Sequence, residues 1–226
     1  FSVLFPGQGS QSIGMIKEFY DNFEYVKNLF EEANDTINLS LSKLIFDGPK
    51  TSLDETENTQ PAIFLVSYAI YAVIKNETKI DLNKADFFAG HSLGEYSALA
   101  CSKVINFNET IKLLKIRGRA MQNAIPKNEG GMVAVLGEDI EKIREIIDIN
   151  QDKFKCYIGN DNSNGQSVIS GGMSNLDKLV AELKNLNIKN VKLPVSAPFH
   201  CILMSPATEI MRKEISNIDF SIPTNN

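Results

Sequence analysis

Histidine is scarce: the 226 residues hold only His91 and His200, so any imidazole chemistry falls to one of these two. Cysteine is almost as rare. Cys101, Cys156 and Cys201 are odd in number and far apart, which excludes a disulfide framework and offers no CxxC metal or redox spacing. Each reads as a small core residue in a reducing compartment, and neither a metal nor a cofactor is expected. Basic charge is also in deficit. Lys and Arg number 23 against 28 Asp and Glu, a net charge of −5, and no Lys/Arg run supplies the positive face that phosphate binding needs. Nucleic acid is excluded as a partner. No apolar run suits a membrane: the longest, residues 62–74, is interrupted by Ser67 and two tyrosines, and reads as a buried helix. An initiator methionine and a signal peptide are missing as well, since the chain begins on a strand-like Phe1-Ser-Val-Leu-Phe. A segment removed before Phe1 is therefore expected. The surplus of Asn, Lys and Ile looks like an AT-rich coding bias and fits processing for an organelle. The expected location is the cytoplasm or the matrix of a plastid-type organelle.

What remains is ordinary for a globular chain: 43% hydrophobic and 23% charged residues, enough for one sizeable α/β core with a smaller unit inserted. Residues 1–5 read as a strand, 13–33 as a helical stretch, and Thr59 with Pro61 as a helix start. Asp86 to Gly90 reads as a short buried strand running into Gly90-His-Ser-Leu-Gly94, then a tightly packed helix of small residues. A further helix runs from Phe107 to about Ala124, capped by Asn106 or Asn108. After Pro126 and Gly130-Gly131 the order becomes strand (132–136), helix (138–149), strand (154–158), turn, strand (167–171), helix (175–186) and strand (189–194). That is the β-α-β-β-α-β order of a ferredoxin-like unit. The expected division is an α/β-hydrolase-like parallel-sheet core, 1–126 and 196–226, and a ferredoxin-like subdomain, 127–195.

Gly90-His91-Ser92-Leu93-Gly94 matches G-x-S-x-G in the context that pattern requires, a strand before and a helix after. Glycines on either side let the backbone turn sharply and expose the Ser92 hydroxyl at a helix N-terminus, where N–H groups face developing negative charge. The plain alternative is a Gly-rich turn with Ser92 as a helix cap. His91 adjoins Ser92, and neighbouring side chains diverge at an elbow, so His200 is the candidate base by elimination. His200 also admits a structural reading, as a satisfied residue at a helix start. Glu95 reads as a first-turn acid rather than a third triad member. Arg117 is out of place. Its helical neighbours Leu113, Leu114, Ala120 and Met121 are all apolar, whereas Arg119 faces outward. A buried guanidinium must find a carboxylate, either the protein's own or one carried by a substrate.

Five blocks in order carry a resemblance: Phe5-Pro-Gly-Gln-Gly-Ser-Gln11, Gly90-His-Ser-Leu-Gly-Glu-Tyr-Ser-Ala-Leu99, Arg117-Gly-Arg-Ala-Met-Gln122, Asn160-Asp-Asn-Ser163 with Gln166, and Pro198-Phe-His200. Together they resemble the malonyl-CoA:acyl carrier protein transacylases of dissociated fatty acid synthesis. The resemblance implies Ser92 as nucleophile, His200 as base, and Arg117 as the clamp for the free malonyl carboxylate. It implies an oxyanion hole from the backbone N–H groups of Gln11 and Leu93. It places Gln8, His91, Met121, Asn160, Asn162 and Phe199 in the substrate pocket, although Asn160 and Asn162 read as turn residues without it. Malonyl-CoA and acyl carrier protein are the implied partners, with a monomer expected. The family runs several tens of residues past Asn226, and in it a residue of that further part presents a carbonyl to the catalytic histidine. Lys184, Lys189 and Lys192 are candidates for a basic rim facing the acidic carrier, although each reads first as solvated surface. The rival is a serine esterase or thioesterase, which shares the elbow but hands the acyl group to water and gives Arg117 nothing to bind. A non-catalytic coenzyme A-binding module is the rival from another class. The catalytic reading requires an alcohol, an imidazole and a guanidinium to meet.

Overall fold

The computed structural model describes residues 1–195 and 197–223, and contacts divide the chain into Phe1–Arg119 with Met211–Asn226, and Ala120–Ile210. The first unit opens with β1 (Ser2–Phe5), then α1 (Lys17–Asn22), α2 (Glu24–Ile37), α3 (Leu41–Asp47), α4 (Lys50–Leu53) and α5 (Thr56–Glu77). The helix predicted over 13–33 is thus two helices. Phe23 between them is extended (φ −121°), and its ring packs against those of Phe19 and Tyr25. Helix α5 begins at Thr56 rather than Thr59, with Pro61 inside it. The reason is tertiary. Asn58 and Thr59 are buried, and their side chains donate to the carbonyls of Ser52 (2.9 Å) and Leu53 (2.5 Å), which locks the start of α5 onto α4.

β2 (Phe87–Gly90), α6 (Gly94–Cys101) and α7 (Phe107–Gln122) follow. β1 and β2 form a two-stranded parallel sheet with Phe5 opposite Gly90. The expectation of a buried β2 is corrected: Phe87 is 58% exposed, and it is Phe88 that turns inward, onto Phe5 and Tyr71. Asn106 caps α7 in a reciprocal box: its carbonyl oxygen accepts from the Glu109 N–H at 2.8 Å, and its amide donates to the Glu109 carboxylate at 2.6 Å. The core of this unit lies among α2, α3, α5 and α7, around Phe30, Phe64, Leu65, Ile111 and Leu114. No helix among the described residues is long and apolar enough to cross a membrane.

The second unit runs β3 (Gly130–Leu136), α8 (Ile140–Ile149), α9 (Gln151–Phe154), β4 (Cys156–Ser163), β5 (Gln166–Gly172), α10 (Met173–Asn185) and β6 (Lys189–Lys192), and α11 (Ser205–Ile215) begins within it. Its sheet has the order β4-β5-β3-β6 with every pairing antiparallel. The apolar run of β3 is buried on both faces. Val133 and Val135 pack with Ile143, Ile147, Leu176 and Leu179 of α8 and α10, while Met132 and Ala134 face Phe199 and Met204. Two expectations are corrected here. Phe154 ends a helix instead of starting a strand, because Lys155 adopts a left-handed angle that stops α9. Residues 160–163 are strand and not turn: β4 continues through two irregularities, at 158/160 and 161/163, before the chain reverses at Asn164-Gly165.

Candidate active site

Ser92 occupies the elbow between β2 and α6 with φ 55°, a left-handed angle that costs a non-glycine residue about 1 kcal/mol or more. Among the described residues other non-glycine positions share such angles, but Asn38, Lys103, Lys155 and Asn187 lie just past helix ends, where this conformation is common. Ser92 caps no such end. The flanking glycines explain how the turn closes. A Cβ on Gly90 would lie 1.9 Å from the Gly94 carbonyl carbon, and one on Gly94 would lie 2.4 Å from the Phe5 oxygen. The elbow therefore folds its own helix start against the end of β1, and His91 N–H donates to Phe5 O at 3.0 Å to hold it.

The Gly-rich first loop packs against the same elbow. A Cβ on Gly7 would meet His91 Nδ1 at 2.6 Å, and Gly9 has φ 110°. The Gln11 side chain accepts from Gly9 N–H (2.8 Å) and donates to Asp54 (2.8 Å), while the Gln8 amide reaches the Thr56 hydroxyl at 3.5 Å. Among the described residues no hydrogen-bond acceptor is found for the backbone N–H groups of Gln11 and Leu93. His91 is exposed.

Arg117 is where the helical pattern predicted a conflict. The side chain is half-buried, and Arg119 is exposed. Nη1 donates to Gln60 Oε1 at 2.8 Å, and Nη2 donates to Ser92 Oγ at 3.2 Å. The guanidinium carbon lies 5.6 Å from the centre of the Tyr96 ring. Burial pulls the pKa of Arg117 down, and Tyr96 and Glu95 oppose that; a guanidinium nonetheless stays charged. None of the ion pairs among the described residues includes Arg117. Among the described residues the cation thus sits on the Ser92 hydroxyl with only neutral hydrogen-bond acceptors.

The remaining predicted residues belong to the second unit. His200 is exposed and has φ 57°. The backbone before it is pinned: buried Ser170 of β5 donates its hydroxyl to the Phe199 carbonyl, and Gly159 faces the same oxygen, where a Cβ would lie 3.2 Å away. Phe199 and Met121 are buried together with Met132 and Met204. Asn160 is half-buried on β4, and exposed Asn162 donates to Gln166 at 3.3 Å. Neither Gln60 nor Ser170 was singled out from sequence. Among the described residues no cluster of His, Cys, Asp and Glu is arranged to hold a metal ion.

Residues 3–225 match the acyl transferase domain family. The chain is similar to malonyl CoA-acyl carrier protein transacylases of Bacillus subtilis (41% identity over 97% of this chain and 54% of that protein) and Haemophilus influenzae (39% over 99% and 72%). It therefore spans about half the length of the first relative and under three quarters of the second. Among solved structures it is similar to an acyl-carrier-protein-S-malonyltransferase from Bartonella henselae, with a TM-score of 0.94, 40% identity, and coverage of 99% of this chain and 72% of that one.

Proposed function

The chain belongs to the acyl transferase domain family, among the malonyl CoA-acyl carrier protein transacylases, and from that membership we propose that it moves a malonyl group from malonyl-CoA to the phosphopantetheine thiol of acyl carrier protein. The observation that carries the reading is the guanidinium of Arg117, which enters no ion pair among the described residues and lies 3.2 Å from Ser92 Oγ. In a malonyl ester on Ser92 the free carboxylate lies two carbons beyond the ester carbonyl, within reach of a cation so placed. Arg117 then exchanges the Ser92 hydroxyl for that carboxylate, which a planar guanidinium can grip with two parallel hydrogen bonds.

The proposed chemistry has two halves. Ser92 Oγ attacks the thioester carbonyl while His200 takes the hydroxyl proton, and the carbonyl oxygen gains its negative charge against the N–H groups of Gln11 and Leu93. The C–S bond breaks, and the coenzyme A thiolate leaves with the proton from His200. The carrier thiol then gives its proton to His200 and attacks the ester, and Ser92 Oγ departs and recovers the proton. Fixing the acyl group at its carboxylate favours a well-aligned thiol over water. On the same reading Gln8, His91, Met121, Asn160, Asn162 and Phe199 touch the substrate, and the active species is a monomer. The strand order β4-β5-β3-β6 with two helices on one face supports reading the second unit as ferredoxin-like, and the parallel β1-β2 pair with its serine elbow supports an α/β-hydrolase-like first unit. The relatives named above are bacterial and fit a cytoplasmic enzyme; they lend nothing to the organelle expectation.

Incubation with malonyl-CoA followed by intact-mass and peptide analysis tests the reading. A malonyl adduct on Ser92, absent from Ser92→Ala and transferable to a carrier thiol, is expected. Arg117→Ala should erase the preference for malonyl over acetyl thioesters. Unchanged preference would remove the clamp, and the absence of any Ser92 adduct would remove the function.

A further inference from the structure

Gln60 has no role in the chemistry so far, yet it is 1% exposed and gives its side-chain oxygen to Arg117 at 2.8 Å. A guanidinium only donates, so the amide must present its carbonyl oxygen. The pairing is built into the packing of α5 and α7. Gly118, next to Arg117, comes so close to the start of α5 that a Cβ there would lie 2.5 Å from the Thr56 oxygen and 2.6 Å from the Glu57 Cα. Just ahead of Gln60, the side chains of Asn58 and Thr59 tie α5 to the carbonyls of Ser52 and Leu53. Gln60 therefore projects from a segment held on both sides.

The choice of residue type is informative. A glutamate would fit the same space and would pair with Arg117 as an ion pair, satisfying a half-buried cation more strongly than an amide does. It would also cancel the charge that a substrate carboxylate needs. An alanine would leave Nη1 without a fixed acceptor. A neutral carbonyl orients the guanidinium and leaves its charge uncompensated.

We propose that Gln60 is a positioning residue for acyl selectivity, aiming Arg117 at the carboxylate of a dicarboxylic acyl group through a neutral hydrogen bond. This rests on the malonyl-transfer reading and deepens it. The test is competition of malonyl-CoA against acetyl-CoA for Ser92, read as the ratio of the two adducts by intact mass on the full chain. Gln60→Glu, Gln60→Ala and Gln60→Met are compared, with folding checked by circular dichroism. Gln60→Glu should lower the malonyl-to-acetyl ratio by about tenfold or more, the range of a charge-assisted hydrogen bond. Gln60→Ala and Gln60→Met should lower it less, chiefly through a higher KM for malonyl-CoA. A wild-type ratio in Gln60→Glu, or malonyl and acetyl rates falling in equal proportion, would overturn the proposal, since a purely structural role would slow both alike. If Gln60→Glu fails to fold, Gln60→Met carries the same two outcomes. A wild-type protein that takes no malonyl at all would overturn the transfer reading and this inference together, which sets that failure apart.

Discussion

At the scale of single residues, the elbow depends on two hydrogens where other amino acids carry a methyl. Gly90 is the stricter case, because the atoms a Cβ would strike at 1.9–2.3 Å all belong to the backbone of Gly94 and Glu95. Nothing flexible can give way, so relief would have to come from opening the turn itself. Gly90→Ala is expected to destabilise the protein by about 3 kcal/mol or more, which for a chain of this size is a fall in Tm of roughly 10 °C. Ser92 acylation should fall with it, because the hydroxyl leaves both Arg117 and the start of α6. Calorimetry and adduct formation check the two halves separately. An unchanged Tm would mean that the elbow tolerates a wider turn than the packing allows. The pattern here was legible because G-x-S-x-G has a local cause: every atom that forbids a Cβ on Gly90 lies within five residues of it.

Element by element, the support of His200 comes from a strand, and that support was not legible. Ser170 on β5 and Phe199 lie 29 residues apart, and no local pattern marks a serine in an apolar strand as a partner for a distant carbonyl. Gln60 was hidden differently. Placing the helix start at Thr59 put Gln60 in a first turn, where polar residues need no explanation, whereas α5 begins at Thr56 and buries it. Arg117 was legible because neighbours three and four residues away on one helix fix its face, and β4 was cut short because Asn160-Asp-Asn-Ser163 has the composition of a turn. The Ser170 contact makes a prediction at this scale. Ser170→Ala strands the buried end of the Phe199 carbonyl and should cost about 1–3 kcal/mol. It should also reduce kcat for malonyl transfer while leaving the malonyl-to-acetyl ratio near its original value, the reverse of the pattern expected at Gln60. A kcat that does not move would separate Ser170 from the positioning of His200.

For the whole molecule the governing quantity is charge. On the proposed function, the chain's net −5 opposes the approach of an acidic carrier at long range, so productive encounter would need local cations whose charge is not already matched. The three lysines proposed from sequence differ in this respect. Lys192 is paired with Asp177, while Lys184 and Lys189 are exposed and enter no ion pair among the described residues. Reversing Lys184 and Lys189 to Glu together should therefore lower kcat/KM for the carrier several-fold at low ionic strength, and reversing Lys192 alone should do less, because its charge is already matched. The difference should shrink as salt shortens the Debye length to a few ångströms near 1 M. The rate of Ser92 acylation by malonyl-CoA, measured without carrier, serves as the internal reference. A carrier kcat/KM insensitive to the double reversal would place the docking cations elsewhere on the surface and leave the proposed acyl transfer through Ser92 untouched.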